Sequence, residues 1–184
     1  DLKIYSVSKT DIPSDVDGEV KSSVISFSYG DQLDFTPANR NNNYDCEAMI
    51  AFGDSLYLFS KNWADQKSRL YALPKTPGTY SILPADTLAA DGLITGADLS
   101  PSGEEIILCG YENYSPFIWV LFDFRETNFF RGNKRRFNFS AMAGTQTEGV
   151  TFLNDAEVVI SSEKTMVSQA SLFKIDIRPW ITSY

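Results

Sequence analysis

The sequence predicts an all-β chain made of repeated four-stranded sheets. Three observations predict it. Apolar and polar residues alternate with a period of two in run after run, and no stretch keeps a convincing 3.6-residue helical period. The runs are short and bounded by turn residues such as Gly53-Asp54, Pro101-Ser102-Gly103 and Asn154-Asp155. A unit of acidic strand head, apolar strand, tight turn and second strand recurs, its turns at Asp54, Gly103 and Asp155 returning about every 50 residues. Four short strands at that period are the signature of propeller blades.

Leu2–Ser8 alternates Leu, Ile and Val with Lys, Tyr and Ser, and pairs naturally with the alternating run Val20–Tyr29. Between them, Asp15-Val16-Asp17-Gly18 resembles a fragment of a calcium loop. It lacks the later ligands and the terminal Glu, so it reads as a turn. Gly30–Tyr44 is a long polar loop, rich in Asn, and reads either as a contact surface or as a mobile connector. Three units follow. The first, over 45–90, has strands Glu47–Phe52, Ser55–Ser60, Arg69–Leu73 and Thr79–Leu83. The second, over 93–140, has Leu93–Leu99, Glu105–Gly110, Pro116–Phe124 and Arg135–Phe139. The third, over 146–178, has Thr147–Phe152, Glu157–Ser161 and Ser171–Ile177, with no fourth strand. With the partial unit over 1–30, residues 1–184 form one segment of about three and a half blades. A closed ring takes roughly 4–8 blades. The chain is therefore expected to be the C-terminal part of a larger propeller, and the leading pair the outer strands of a blade whose inner strands lie upstream. No export signal opens the chain, and that upstream part is expected to carry one.

Composition narrows the function. A chain of 184 residues with 43% hydrophobic content supports a real core. The net charge of −8 disfavours nucleic acid and anionic membrane as partners. The one basic cluster, Lys134-Arg135-Arg136, heads a strand and reads as a solvated edge. There is no histidine, which removes Ser-His-Asp and Cys-His nucleophile systems and His-based zinc sites. Cys46 and Cys109 are too few for a disulfide framework; they read as buried thiols or as one bridge. No apolar run reaches the length of a membrane span.

Tyr44–Met49, Leu56–Lys61, Leu73–Gly78, Thr95–Asp98, Phe129–Arg136 and Gln146–Gly149 together resemble a group of uncharacterised secreted β-propeller proteins of Bacteroidota. More distantly, the Asp-x-Glu and Gln-x-Glu-Gly strand heads are similar to those of the SdiA-regulated and esterase-like-phytase propellers. The resemblance implies a propeller outside the cytoplasm (extracellular, surface-bound or periplasmic) and implies no activity.

Three chemistries compete for these residues. Innermost propeller strands line a shared channel, so Asp45, Glu47, Asp98, Gln146 and Glu148 are expected to converge. Converging carboxylates raise one another's pKa unless a cation neutralises them, and Ca2+ takes 6–8 oxygens. An axial Ca2+ site from Glu47, Glu148, Asp98 and Asp45 is one expectation; strand capping, or pairing with Lys61, Lys164 and Arg136, is the alternative. Glu47 and Glu148 are also the pair a carboxylate-based hydrolase would use. The favoured expectation is a non-enzymatic module that binds a protein or glycan through Trp63, Tyr111, Tyr114, Phe129 and Phe130, since loop aromatics make good anchors.

Overall fold

A computed structural model describes residues 2–14, 17–36 and 40–181. Asp15-Val16, in the turn with calcium-loop likeness, and Pro37-Ala38-Asn39, in the Asn-rich loop, lie outside the described residues. The fold is all-β. In chain order the strands are β1 (Leu2–Val7), β2 (Ser22–Tyr29), β3 (Asp45–Phe52), β4 (Ser55–Lys61), β5 (Ser68–Pro74), β6 (Gly78–Ile82) and β7 (Pro84–Leu88). They continue as β8 (Leu93–Leu99), β9 (Glu105–Glu112), β10 (Ser115–Phe122), β11 (Asn133–Asn138), β12 (Gln146–Asn154), β13 (Glu157–Glu163) and β14 (Ser171–Asp176).

They form four sheets, ordered β1-β2-β6, β3-β4-β5-β7, β8-β9-β10-β11 and β12-β13-β14. The second, third and fourth sheets are antiparallel throughout, and β6 joins the first parallel to β2. This corrects one expected strand. The Thr79–Leu83 segment leaves its own unit to complete the preceding sheet, where Tyr80 and Ile82 pack with Ile25, Phe27 and Tyr29. Its place in the second sheet is taken by β7, an edge strand that opens on Pro84, the one residue type with no N–H to donate.

Local chemistry sets the hairpins. Gly53 takes φ +54° in the two-residue turn between β3 and β4, where a Cβ would be strained. Asn113 and Tyr114, at φ +49° and +61°, form the two-residue turn between β9 and β10. Two left-handed residues in succession define the type I′ turn that matches strand twist. Asn154 Oδ1 accepts the N–H groups of Ala156 and Glu157 at 2.9 and 3.0 Å and closes the β12–β13 turn.

Three apolar clusters lie between successive sheets. Tyr29, Leu58 and Tyr71 join the first to the second, Phe59, Leu108 and Phe117 the second to the third, and Ile107, Ile118 and Ile160 the third to the fourth. The first strands of the last three sheets are neighbours: β8 packs against β3 on one side and β12 on the other. Asp98 ties β8 to β12, its Oδ2 accepting from Thr151 Oγ1 at 3.0 Å and Phe152 N at 2.8 Å. The basic cluster on β11 is less solvated than expected. Arg135 lies over the Phe122 ring and donates to the Trp180 carbonyl, Arg136 lies over Phe117, and Lys134 is the exposed member.

Candidate ligand-binding site

The register of the three neighbouring first strands breaks at one level. β3 carries its irregularity at Glu47, between Cys46 and Ala48. β8 carries it at Thr95, between Ile94 and Gly96, and β12 at Glu148, between Thr147 and Gly149. A bulge adds an unpaired residue and re-aims its side chain. A small residue follows each: Ala48, Gly96 and Gly149. A Cβ on Gly96 would lie 3.1 Å from Gly149 Cα, so β8 and β12 need glycine there to approach so closely. The residue of the middle sheet that matches Glu47 and Glu148 is therefore Thr95, which donates to the Thr147 carbonyl at 2.5 Å. Asp98, expected at the matching position, serves the sheet contact instead.

The two bulged glutamates gather around Lys61. Its side chain is 5% exposed, and Nζ donates to Glu47 Oε2 at 2.7 Å. The ammonium stands 5.0 Å from the Trp63 ring centroid and 5.6 Å from that of Tyr111, both cation–π distances. Burial alone would lower the Lys61 pKa; the hydrogen bond to Glu47 and the Tyr111, Glu47 and Glu148 charges outweigh it and hold the pKa above its ordinary value. Burial pushes the Glu148 carboxyl up. Lys61 opposes that shift, while Glu47 and Glu163 add to it. Burial likewise raises the Tyr111 phenol against the pull of Lys61.

Above Lys61 the aromatics form a mouth. Trp63 is half-buried and is held at its edge, where Nε1 donates to Asp45 Oδ2 at 3.0 Å. The Arg40 guanidinium lies 5.4 Å from the same ring. Asn42 and Asn43 anchor the Trp63 loop: the Asn42 carbonyl accepts from Trp63 N at 2.9 Å, and Asn43 Oδ1 accepts from Ala64 N at 3.1 Å. Tyr111 is buried and Tyr114 exposed, their rings near-parallel at 15° with centroids 6.4 Å apart. Trp63, Tyr111, Tyr114, Arg40, Gln66 and Gln146 surround a cavity of about 200 Å3. That is below the roughly 300–1,000 Å3 of a drug-sized site and suits one ring or a small polar group.

Of the expected binding residues, Trp63, Tyr111 and Tyr114 thus share one cavity, and Phe129 and Phe130 do not. Both phenylalanines are core residues, in a short 3-10 turn that folds them inward. Phe129 meets Phe52, Tyr57 and Phe124 edge to face. Of the expected metal ligands, Glu47 and Glu148 share the neighbourhood of Lys61, Asp45 holds Trp63, and Asp98 is spent between sheets. Among the described residues no three His, Cys, Asp or Glu side chains form a group able to hold a metal. Cys46 and Cys109 are free thiols, in the first and third of the apolar clusters. Arg40 belongs to the Gly30–Tyr44 loop, for which a contact surface is one of the two readings of the sequence. Sequence reading missed Gln66, which nothing in its local pattern marks because a separate loop brings it in.

The fold and cavity define an all-β, four-sheet chain with an aromatic-rimmed pocket over a caged lysine. In comparisons with known proteins, no family model matches the chain and no curated protein matches it.

Proposed function

We propose that the chain is part of a β-propeller in a secreted or surface protein, and that it binds a carbohydrate without turning it over, at the Trp63–Tyr111–Tyr114 mouth. The propeller reading is supported by sheets stacked in chain order, with β3, β8 and β12 side by side and their bulges level. A cavity of about 380 Å3 between β1 and β3, lined by Leu2, Ile4, Phe27, Cys46 and Met49, lies where an inner strand of the first sheet would run. The partner implied there is a further strand of the same protein, pairing with β1. Placement outside the cytoplasm and a Bacteroidota origin rest on the sequence resemblance alone.

The observation that carries the ligand reading is the meeting of three aromatic side chains, Trp63 from the loop after β4 and Tyr111 and Tyr114 from the β9–β10 hairpin, around one small polar cavity. Aromatic faces take the apolar face of a sugar ring, and Gln66, Gln146 and Arg40 offer hydrogen bonds to hydroxyls. The test is a glycan array probed with the labelled full chain and with Trp63→Ala. Retention of a defined glycan by the wild type and its loss in the variant support the reading; a blank array, or equal binding by the variant, overturns it. A protein partner on the same rim would give a blank array with Trp63-dependent pulldown.

One observation favours a hydrolase as the second reading. Burial beside Glu47, which is ion-paired to Lys61, holds the Glu148 carboxyl above its ordinary pKa, and acid–base hydrolysis uses two carboxyls in different environments. Turnover of an array-positive glycan, abolished in Glu148→Gln, would replace the binding reading. A Ca2+ ion at the same acids would have to displace the Lys61 ammonium from Glu47, and calcium titration with a Tm readout tests that exchange.

A further inference from the structure

The polar cavity has an apolar neighbour. Tyr114 and Gln146 line the 200 Å3 cavity on one side and, on the other, a trough of about 770 Å3 walled by Gly144, Lys164, Thr165, Met166 and Val167. Met166 is fully exposed and Val167 is 80% exposed. They do not simply dangle. Thr165 Oγ1 accepts from Val167 N and Ser168 N at 3.3 and 3.1 Å, and Thr165 N donates to the Ser168 carbonyl at 2.9 Å, closing the turn that presents them. Thr165 Oγ1 also donates to the Gly144 carbonyl at 2.8 Å, and Gly144 N donates to the Tyr114 carbonyl at 2.8 Å. The apolar rim is thus hydrogen-bonded through Gly144 to the turn that carries Tyr114.

Tyr114 stands on the ridge between the two compartments. Its left-handed backbone, φ +61°, is unusual for a bulky residue and turns the exposed ring outward over Tyr111. One side of that ridge offers hydrogen bonds and stacking, the other mainly apolar contact from Met166 and Val167, with Lys164 and Thr165 in its wall. The geometry points to an amphipathic ligand: a sugar in the polar cavity bearing an alkyl or acyl substituent that lies over Tyr114, Met166 and Val167. This rests on the carbohydrate reading above and adds to it the class of substituent. Continuity of the trough with the sugar cavity is what selects this occupant over a separate apolar partner.

The test uses methyl and octyl glycosides of glucose, galactose, mannose and N-acetylglucosamine, below micelle-forming concentrations, titrated into the full chain. Octanol is the control. The expected result is an octyl glycoside that binds at least tenfold tighter than its methyl counterpart and than octanol. That gain should vanish in the double variant Met166→Ser, Val167→Ser, which keeps the methyl-glycoside affinity. Equal binding of methyl and octyl forms, or a chain-length gain that survives the double variant, overturns the inference and leaves the carbohydrate site standing. Octanol binding as well as the octyl glycosides also overturns it. No binding of any glycoside overturns both.

Discussion

Lys61 Nζ and Glu47 Oε2 lie 2.7 Å apart, the lysine side chain 5% exposed and the glutamate 36% exposed. The pairing follows from the bulge in β3. Asp45 is Lys61's partner in the register, so Glu47 reaches the ammonium only because the strand takes an extra residue there. The ammonium then serves Glu148 and the faces of Trp63 and Tyr111 together. Removing it should leave two acids without a counter-charge. Lys61→Met is expected to destabilise by about 2 kcal/mol, below the roughly 3–5 kcal/mol of a fully buried broken pair because Glu47 meets solvent. Denaturant melts of Lys61→Met, Glu47→Gln and the double variant check this, with the double variant less damaged than Lys61→Met.

Tyr114 should oppose stability and function. A glycine there would relieve the left-handed strain, of order 1–2 kcal/mol, and restore the favoured Asn-Gly type I′ turn, against the lost contact with Tyr111. Tyr114→Gly is expected to melt at or above the wild-type temperature while losing ligand affinity. A large drop in Tm would mean that the ring serves packing.

The Glu148 carboxyl gives a pH dependence with a definite sign. Its folded pKa lies above the ordinary 4.5, so the folded state holds the proton more tightly than the unfolded one. Its stabilising contribution is full below 4.5 and is lost as pH rises through the folded pKa. Glu148→Gln should remove that part of the slope. The check is Tm against pH from 4 to 8 for both proteins, with the variant's relative stability improving toward neutrality.

Burial pushes the Cys46 thiol up to about 11 and the Cys109 thiol up to about 12. Both stay protonated at pH 8 and should react with a thiol reagent far more slowly than free cysteine. Two thiols are expected to titrate in denaturant and almost none in the native protein. Fast native labelling would contradict the packing of β3 or β9.

Much of the fold was legible because strands facing apolar clusters alternate, as the burial of β2 and β13 does, and because turn residues bound the short runs, as at the expected Leu93–Leu99 span that β8 takes. The destination of β6 was not legible. The same alternation suits either sheet, and only packing of Tyr80 and Ile82 against Phe27 and Tyr29 decides it. Phe129-Phe130 sits in an irregular connection, which reads as exposed, but a 3-10 turn there lets a connection feed the core. For the site, Trp63, Tyr111 and Tyr114 could be chosen as turn aromatics. The bulge at Glu47 depends on cross-strand register, which one strand's sequence does not carry.

The central claim is that Trp63, Tyr111 and Tyr114 make one binding mouth. Calorimetric titration of the array-selected glycan into the wild type, Trp63→Ala and the distant control Leu172→Ser, whose side chain is exposed on β14, tests it most directly. The account expects Trp63→Ala to lose at least tenfold in affinity and Leu172→Ser to bind as the wild type does. Unchanged affinity in Trp63→Ala, with Leu172→Ser weakened, would contradict it.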